Sequence, residues 1–320
     1  MIKVVTVLLS AGLVALLNCG CSASGAASQG SGGSASAGGS KSSAGGNNGA
    51  GTQATGGSAV SIVTCNSNVQ SSGCTPGQIT QAGTLSGRYG TFNATVGSKQ
   101  YFIQVNEWNS SATQTLSYGG NYFFKVTQQQ ANLSTSGAPA GYPSVFIGAN
   151  SSHSTSGSGL PKQVSSLNQV LTTWNWIDNG AINDSNNNAF NAAYDVWFST
   201  NPGGDPAAGT PSAGFLMVWY HSQGCQPVGN LVDAGRTIDG LPGCWDVWTG
   251  TNSGKPVISY KHQGPILSFG FDLNLFIKDA LNKYPANMQN NWYLTNIFTG
   301  FEIWKGGVNL QSTSFCAEVN

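Results

Sequence analysis

Apolar and polar residues alternate over many short runs between residues 60 and 320. Runs such as residues 101–106, 122–126 and 193–198 are rich in bulky and β-branched side chains, and clusters of Gly, Ser, Asn and Pro separate them. A period of two places successive side chains on opposite faces of a strand. The pattern therefore predicts one all-β domain, a sandwich or a barrel, over residues 60–320.

One stretch of this domain has a helical period instead. Along residues 272–284, apolar side chains recur at intervals of three and four residues: Leu273, Phe276, Ile277, Ala280 and Leu281. Asp272 is suited to cap the start of such a helix, and Pro285 ends the pattern. We expect a single amphipathic helix that packs on the outer side of a sheet.

Residues 215–220, FLMVWY, are apolar on both faces of the predicted strand. Alternation places Phe215, Met217 and Trp219 on one face and the three remaining side chains on the other. A strand with two apolar faces is typical of the middle of a β-sandwich.

The N-terminus has the pattern of an export signal. Lys3 precedes the apolar residues 4–17, which are too few to span a membrane comfortably. Residues 1–21 resemble a bacterial lipoprotein signal, in which either Cys19 or Cys21 becomes the lipidated N-terminus. An ordinary secretory signal is the alternative.

Residues 22–59 consist almost entirely of Ser, Gly, Ala, Thr and Asn, with Lys41 as their only charged residue. Such a segment buries too little apolar surface to fold, so we expect a flexible linker. The chain is then an exported protein, either secreted or a lipoprotein at the cell surface or facing the periplasm. It contacts a membrane only through its N-terminal lipid anchor.

The composition excludes one class of function and favours another. The chain has 12 Lys and Arg, 12 Asp and Glu and a formal net charge of zero, without the clustered positive charge that nucleic-acid binding needs. Its 14 Phe, 10 Tyr and 9 Trp, among many uncharged polar residues, suit contacts with neutral ligands such as sugars. His153, His221 and His262 are far apart in sequence, so no metal or other cofactor is expected, and we expect a monomer.

Five cysteines follow the signal segment: Cys65, Cys74, Cys225, Cys244 and Cys316. In an exported chain these residues favour disulfides over metal ligation. Short loops favour the pairs Cys65–Cys74 and Cys225–Cys244, which leave Cys316 without a partner. Other pairings remain open.

Two carboxylates lie beside tryptophans at the spacing of one strand face. Alternation places Glu302 with Trp304 and Asp195 with Trp197. Glycoside hydrolysis uses two carboxyl groups that flank the scissile bond, and partial desolvation raises the pKa of the group that acts as acid. The alternatives are a solvated Glu302 on an outer face and an Asp195 that bonds to backbone or turn groups.

Five motifs together resemble glycoside hydrolase family 12. They occur in the family's order and approximate spacing: PSVFIG at residues 143–148, AYDVWF at 193–198, FLMVW at 215–219, WDVWTG at 245–250 and GFEIW at 300–304. The resemblance covers roughly residues 88–320. It implies a two-sheet β-jelly roll with a substrate cleft on the concave sheet and a helix on the convex side. It also implies the activity of endo-β-1,4-glucanases and xyloglucanases, whose ligands are β-glucans.

The resemblance also implies roles for individual residues. Glu302 matches the acid/base position. Asp195 matches the cleft aspartate that hydrogen-bonds the nucleophile, and in this chain Asp195 is also the candidate for a substitute base. Residues expected to contact substrate in the cleft are Asn106, Trp108, Trp197, Met217, Trp219 and Trp304.

Phe215 occupies the position at which the family has its nucleophilic Glu. Met217 and Trp219 fix the register, and neither Gly214 nor Leu216 is acidic. A phenyl ring forms no glycosyl ester and carries no charge, so the usual double displacement is lost. The ring either stacks on a sugar or fills the space that the Glu vacates.

Three hypotheses follow. The first is a cell-surface β-1,4-glucan binder with weak or absent hydrolysis. The second is an active endo-β-1,4-glucanase that inverts configuration with Asp195 as base and Glu302 as acid, which requires carboxyl groups roughly 6.5–9.5 Å apart. The third is a structural surface lipoprotein without a ligand, which buried rather than exposed Trp rings would favour.

Overall fold

A computed structural model describes residue 65, residues 72–205 and residues 208–320. The predicted signal peptide with Cys19 and Cys21, the predicted linker and the predicted start of the domain at residue 60 lie outside the described residues.

The described part of the chain forms strands, two short 3₁₀ helices (Val164–Ser166 and Ala181–Asn183) and one α-helix. In chain order these are β1 (Gly83–Ser86), β2 (Thr91–Val96), β3 (Lys99–Gln104), β4 (Gln114–Gly119), β5 (Tyr122–Gln129), β6 (Ser144–Asn150), β7 (His153–Ser154), β8 (Lys162–Gln163), β9 (Val170–Ile177), β10 (Ala189–Ser199), β11 (Gly214–Gln223), β12 (Asn230–Arg236), β13 (Trp245–Asn252), β14 (Lys255–His262), β15 (Ser268–Asp272), α1 (Asn274–Lys283), β16 (Tyr293–Gly300), β17 (Ile303–Lys305) and β18 (Gln311–Val319).

Within the described ranges the strands form two sheets. A six-stranded sheet has the order β1-β4-β5-β18-β9-β15, and a twelve-stranded sheet has the main order β12-β13-β14-β11-β10-β16-β6-β3-β2. Strands β17, β7 and β8 pair with β10, β6 and β16. The predicted all-β sandwich of two sheets, with the jelly-roll fold, is confirmed.

The main core lies between the two sheets. Trp174 of β9 is fully buried, and its ring contacts Tyr194 of β10 and Tyr220 of β11 at centroid distances of 5.8 and 5.3 Å. Burial of one large apolar side chain contributes about 1.5–3 kcal/mol, so these rings hold the sheets together. The alternation that predicted the strands also selects the residues that face this core.

The run at residues 215–220 is apolar on both faces because each face packs against a separate cluster. Leu216, Val218 and Tyr220 join the core between the sheets. Phe215 and its same-face neighbours join a second cluster on the opposite face of the twelve-stranded sheet. This strand, β11, lies in the interior of that sheet, antiparallel to β10 and parallel to β14.

The helix α1 is confirmed, with bounds slightly inside the predicted 272–284. The Asp272 carboxylate accepts a hydrogen bond from the Asn274 backbone N–H at 3.0 Å, at the start of the helix. Phe276 packs against Trp245 and Tyr260 at 4.9 Å each, on the core side of β13 and β14, opposite the Phe215 face. No helix in the described ranges has the length and apolar content needed to cross a membrane.

The predicted disulfide pairs are wrong. In the described residues Cys65 bonds Cys244, with their Cα atoms 5.0 Å apart, and Cys74 bonds Cys316, at 6.1 Å. Cys225 is in neither bond. Preference for short loops therefore does not decide the pairing.

The strand pairing explains the bond between Cys74 and Cys316. Thr173 of β9 donates a hydrogen bond from its hydroxyl to the Cys74 carbonyl at 2.6 Å, which fixes the N-terminal segment beside β9. Cys316 of β18 is the register partner of the same Thr173. A contact across three segments so distant in sequence leaves no signal in cysteine spacing.

Replacing both Cys74 and Cys316 by Ser is expected to lower the free energy of unfolding by about 3–5 kcal/mol. The bond closes a loop between residues 242 positions apart, so its loss frees much of the unfolded chain. Urea unfolding of the oxidised protein measures the change. Cys225→Ser is the matched control and should have a much smaller effect. Equal stability of the double variant and the wild type would contradict this prediction.

Candidate active site

The register of the twelve-stranded sheet brings several residues predicted to line the cleft together, on the face opposite the main core. Asp195 of β10 lies beside Met217 of β11 on one side and Phe298 of β16 on the other. One same-face position along, Trp197 is paired with Phe215. The predicted face of β10 and β11 is therefore shared by these residues.

Glu302 lies between β16 and β17 and is 3% exposed. Asn191 of β10 binds it twice: its side-chain amide donates to the Glu302 carboxylate, and its amide oxygen accepts the Glu302 backbone N–H at 2.9 Å. These two hydrogen bonds fix the Glu302 carboxylate against β10, the strand that carries Asp195.

Asn191 was not predicted from the sequence. It lies four residues before Asp195 on the same strand, so alternation places both side chains on one face. A polar side chain inside the otherwise apolar run 189–194 was the available signal. The Asn191 side chain does not ionise, so a search of the sequence for catalytic acids and bases does not find it.

Asp195 is 4% exposed, and its two oxygens differ. Oδ2 accepts a hydrogen bond from Trp197 Nε1 at 2.7 Å, whereas Oδ1 is buried and has no hydrogen-bond partner among the described residues. Burial raises the pKa of Asp195 to about 8, against the opposing effect of the Trp197 hydrogen bond, and the charge of Glu302 adds to the rise. At neutral pH the group is therefore mostly a neutral carboxylic acid.

Tyr142 is a second site residue that the sequence did not reveal. Its hydroxyl donates to the Ala193 carbonyl at 2.8 Å. Burial raises the pKa of Tyr142 well above its ordinary value, and the charges of Asp195 and Glu302 raise it further. The phenol thus lies near both carboxyl groups and stays neutral.

Phe215 is 2% exposed and packs edge-on against Trp197 with ring centroids 6.1 Å apart. Its cluster on this face also includes Met217, Trp219 and Val257. So little of the ring is exposed that it offers almost no surface for stacking on a sugar. This geometry favours the space-filling interpretation of Phe215.

The four tryptophans predicted to face a ligand are all buried: Trp108 and Trp197 are 6% exposed, and Trp219 and Trp304 are 0% exposed. Trp304 donates from Nε1 to the Gly137 carbonyl at 2.7 Å, so the segment that precedes β6 covers it. No line of exposed rings runs along this part of the described chain.

Asn106 and Trp108 lie on the loop after β3, which is bonded to the Tyr142 segment. The Asn106 carbonyl accepts the Tyr142 backbone N–H at 2.9 Å, and Asn106 has a φ of 48°. Arg88 donates to the Trp108 carbonyl at 2.7 Å. The loop therefore reaches the site through Tyr142.

The connection from β11 to β12, residues 224–229, crosses β14 and β13 on the Phe215 face. The sheet order requires this crossing, and Cys225 and Val228 pack against the cluster of Phe215. The passage is tight, because a Cβ on Gly250 of β13 would lie 2.8 Å from the Val228 carbonyl. The crossing therefore covers part of the face that carries Phe215.

Two carboxyl side chains near each other on one face of a β-sandwich form the kind of site at which glycosidic bonds are cleaved. The model of glycosyl hydrolase family 12 matches residues 99–320, and the chain belongs to this family. Among the described residues, no group of three or more His, Cys, Asp or Glu side chains is placed to hold a metal ion.

Individual relatives agree with this assignment. A probable cellulase, Cel12b, from Mycobacterium tuberculosis is 32% identical over 165 residues, which are 51% of this chain and 99% of that protein. The xyloglucan-specific endo-β-1,4-glucanase A of Emericella nidulans is 26% identical over 160 residues, 49% of this chain and 62% of that protein. The structure of endoglucanase Cel12A from Rhodothermus marinus superposes with a TM-score of 0.64 at 29% identity, covering 74% of this chain and 99% of that one.

Proposed function

We propose that the chain binds a β-1,4-glucan, such as cellulose, xyloglucan or a mixed-linkage glucan, and hydrolyses it weakly or not at all. Phe215 carries the proposal. Its buried ring lies where the family resemblance implies a nucleophilic carboxylate, and it packs against Trp197. The relatives named as a cellulase and a xyloglucanase support the ligand class.

The remaining groups do not replace a nucleophile. A retaining mechanism needs one carboxylate to attack the anomeric carbon and a second group to protonate the leaving oxygen. Asn191 binds Glu302, to which the family resemblance gives the acid/base role, but Asp195 is mostly protonated at neutral pH and bonded to Trp197. A neutral acid is a poor nucleophile and a poor base.

The same pKa weakens the inverting alternative. Asp195 acts as a base only when ionised, and burial keeps its pKa at about 8. An inverting reaction through Asp195 and Glu302 needs Asp195 ionised while Glu302 still holds its proton, and it would release an α-configured product. Neutral-pH activity with a β-configured product would remove this alternative.

The burial of the four tryptophans favours a second candidate function, a surface protein without a ligand. Buried rings contribute to stability whether or not a sugar binds. The two candidates differ in a single measurable property, which is retention of the folded protein by β-glucan.

Affinity electrophoresis in gels that contain xyloglucan, mixed-linkage β-glucan or soluble cellulose derivatives tests the proposal. We expect slower migration of the purified protein in at least one of these gels. Glu302→Gln is the matched control, because the neutral isostere keeps the Asn191 contact and should keep binding while removing any residual hydrolysis. Unchanged migration in every gel would favour the protein without a ligand.

The proposal extends to where the protein acts. It is exported as a lipoprotein or a secreted protein and acts as a monomer, with a lipid anchor on Cys19 or Cys21 as its only membrane contact. The disulfides Cys65–Cys244 and Cys74–Cys316 support export, because such bonds persist in oxidising compartments.

A further inference from the structure

Only one of the two carboxyl oxygens of Asp195 has a hydrogen-bond partner among the described residues. Trp197 Nε1 donates to Oδ2 at 2.7 Å, and Oδ1 is buried without a partner among the described residues. Burying a polar atom without a hydrogen bond is unfavourable, because the atom loses its contacts with water, and it calls for an explanation. A ligand group is one such explanation.

The Trp197 bond determines which oxygen holds the proton. An indole N–H only donates, so Oδ2 serves as the acceptor and the proton of the neutral acid resides on Oδ1. The burial that raises the pKa of Asp195 to about 8 keeps this proton in place at neutral pH. The result is an O–H donor that lacks an acceptor in the described protein.

The neighbouring elements offer no other partner for this donor. Strand β11 presents Met217 and Phe215, and β16 presents Phe298, none of which ionises or accepts a strong hydrogen bond. The ionisable groups that face Asp195 are Glu302 and the Tyr142 phenol, whose hydroxyl donates to Ala193.

Phe215 accounts for the unpaired oxygen. Because Asp195 pairs with Met217 and Trp197 pairs with Phe215, position 215 is the diagonal same-face neighbour of Asp195 on the adjacent strand. A carboxylate at that position would accept a hydrogen bond from the Asp195 O–H group. The phenyl ring does not, so the donor is left without an acceptor in the described protein.

We propose that Asp195 is a ligand-binding residue, a neutral carboxylic acid whose Oδ1–H donates a hydrogen bond to a hydroxyl oxygen of the bound glucan. This inference rests on the proposed function, since it names the group through which the same site holds its ligand. Apolar surroundings are known to keep a carboxylic acid neutral so that it can donate. Ionisation of Asp195 removes the donor and places a second negative charge near Glu302.

The affinity for glucan therefore depends on pH. If only the neutral form binds and the pKa is about 8, the dissociation constant at pH 9 is about tenfold that at pH 6. Titration calorimetry with a soluble mixed-linkage β-glucan oligosaccharide, at pH 6, 7, 8 and 9, measures this change. Glu302→Gln, titrated in parallel, removes the charge that adds to the rise of the Asp195 pKa, so the pH dependence should persist with its midpoint at lower pH. Loss of the pH dependence in this variant would make Glu302 its source and overturn the role of Asp195.

Two substitutions separate hydrogen bonding from packing. Asp195→Asn presents an N–H in place of the Oδ1–H, so it should bind at every pH with an affinity close to that of the wild type at pH 6. Asp195→Leu keeps the approximate shape without a donor and should weaken binding at least about tenfold at pH 6. Thr299→Val is the matched control, because it removes a buried unpartnered hydroxyl on the opposite, core-facing side of the sheet.

The outcomes separate this inference from the proposed function. Wild-type affinity that is equal at pH 6 and 9, or an Asp195→Asn variant as pH-dependent as the wild type, overturns the role of Asp195 while binding itself stands. The second result is decisive even if Asp195→Leu fails to fold. Absence of binding by the wild type at every pH overturns the proposed function and this inference with it.

Discussion

Phe215→Glu is expected to raise the hydrolysis of β-1,4-glucan at least about 100-fold above the wild-type rate. The substitution returns a carboxylate to the diagonal neighbour position of Asp195, within the face that also carries Glu302. The Asp195 Oδ1–H then has an acceptor, and this hydrogen bond stabilises the new charge in a buried site. Release of reducing sugar from a panel of β-glucans measures the gain.

The stereochemistry of the product gives a second readout for the same variant. A nucleophile at position 215 with Glu302 as acid/base makes a retaining pair, so the first product should have the β configuration by NMR. The double variant Phe215→Glu with Glu302→Gln should return to the wild-type rate. Phe215→Gln, which has similar shape but no charge, should gain nothing.

A buried carboxylate also threatens folding, so stability must be measured beside activity. If Phe215→Glu unfolds at a similar urea concentration to the wild type and still shows no gain, the concave face is not a hydrolase cleft that lacks one part. In that case the protein without a ligand, which the buried Trp219 and Trp304 favour, becomes the better account.

The sequence predicted those features that depend on local period. Alternation placed Phe215, Met217 and Trp219 on one face, and the structure has them in one cluster. The helical spacing after Asp272 located α1 to within two residues at either end. Both signals are strong because every turn of a helix, and every pair of residues in a strand, repeats them.

The features that the sequence did not reveal depend on contacts between distant segments. The bond of Cys74 to Cys316 follows from the meeting of the N-terminal segment, β9 and β18, which cysteine spacing does not record. Tyr142 enters the site because its hydroxyl reaches Ala193, 51 positions further along the chain. Such contacts are fixed by sheet order and strand crossing, so no local pattern encodes them.

Trp197 and Trp304, which lie in two separate motifs, show the limit of the alternation pattern. The sequence placed each tryptophan on the face of a carboxylate, and Trp197 does contact Asp195. Trp304 instead lies under the segment around Gly137, whose carbonyl accepts the hydrogen bond from Trp304 Nε1. Alternation gives the face of a side chain but not what covers it.

Asp195→Asn is expected to be more stable than the wild type at pH 8.5 by about 3–5 kcal/mol and nearly equal to it at pH 4. The pKa of Asp195 rises from 3.8 to about 8 on burial, so between these values the folded chain holds a proton that the unfolded chain has released. Folding is then favoured by low pH, and the wild type loses stability as the pH rises from about 4 to about 8. The amide does not titrate and keeps its stability.

The difference between the two proteins isolates this group from the others that titrate. Burial lowers the pKa of His221 to about 4, so its contribution has the opposite sign and increases stability as the pH rises from about 4 to 6.5. That contribution is common to wild type and variant and cancels in the subtraction. Urea unfolding at half-unit intervals from pH 4 to pH 9 gives the difference curve. A flat curve would mean that Asp195 is ionised in the folded protein at neutral pH, and the neutral donor at the centre of the site would have to be abandoned.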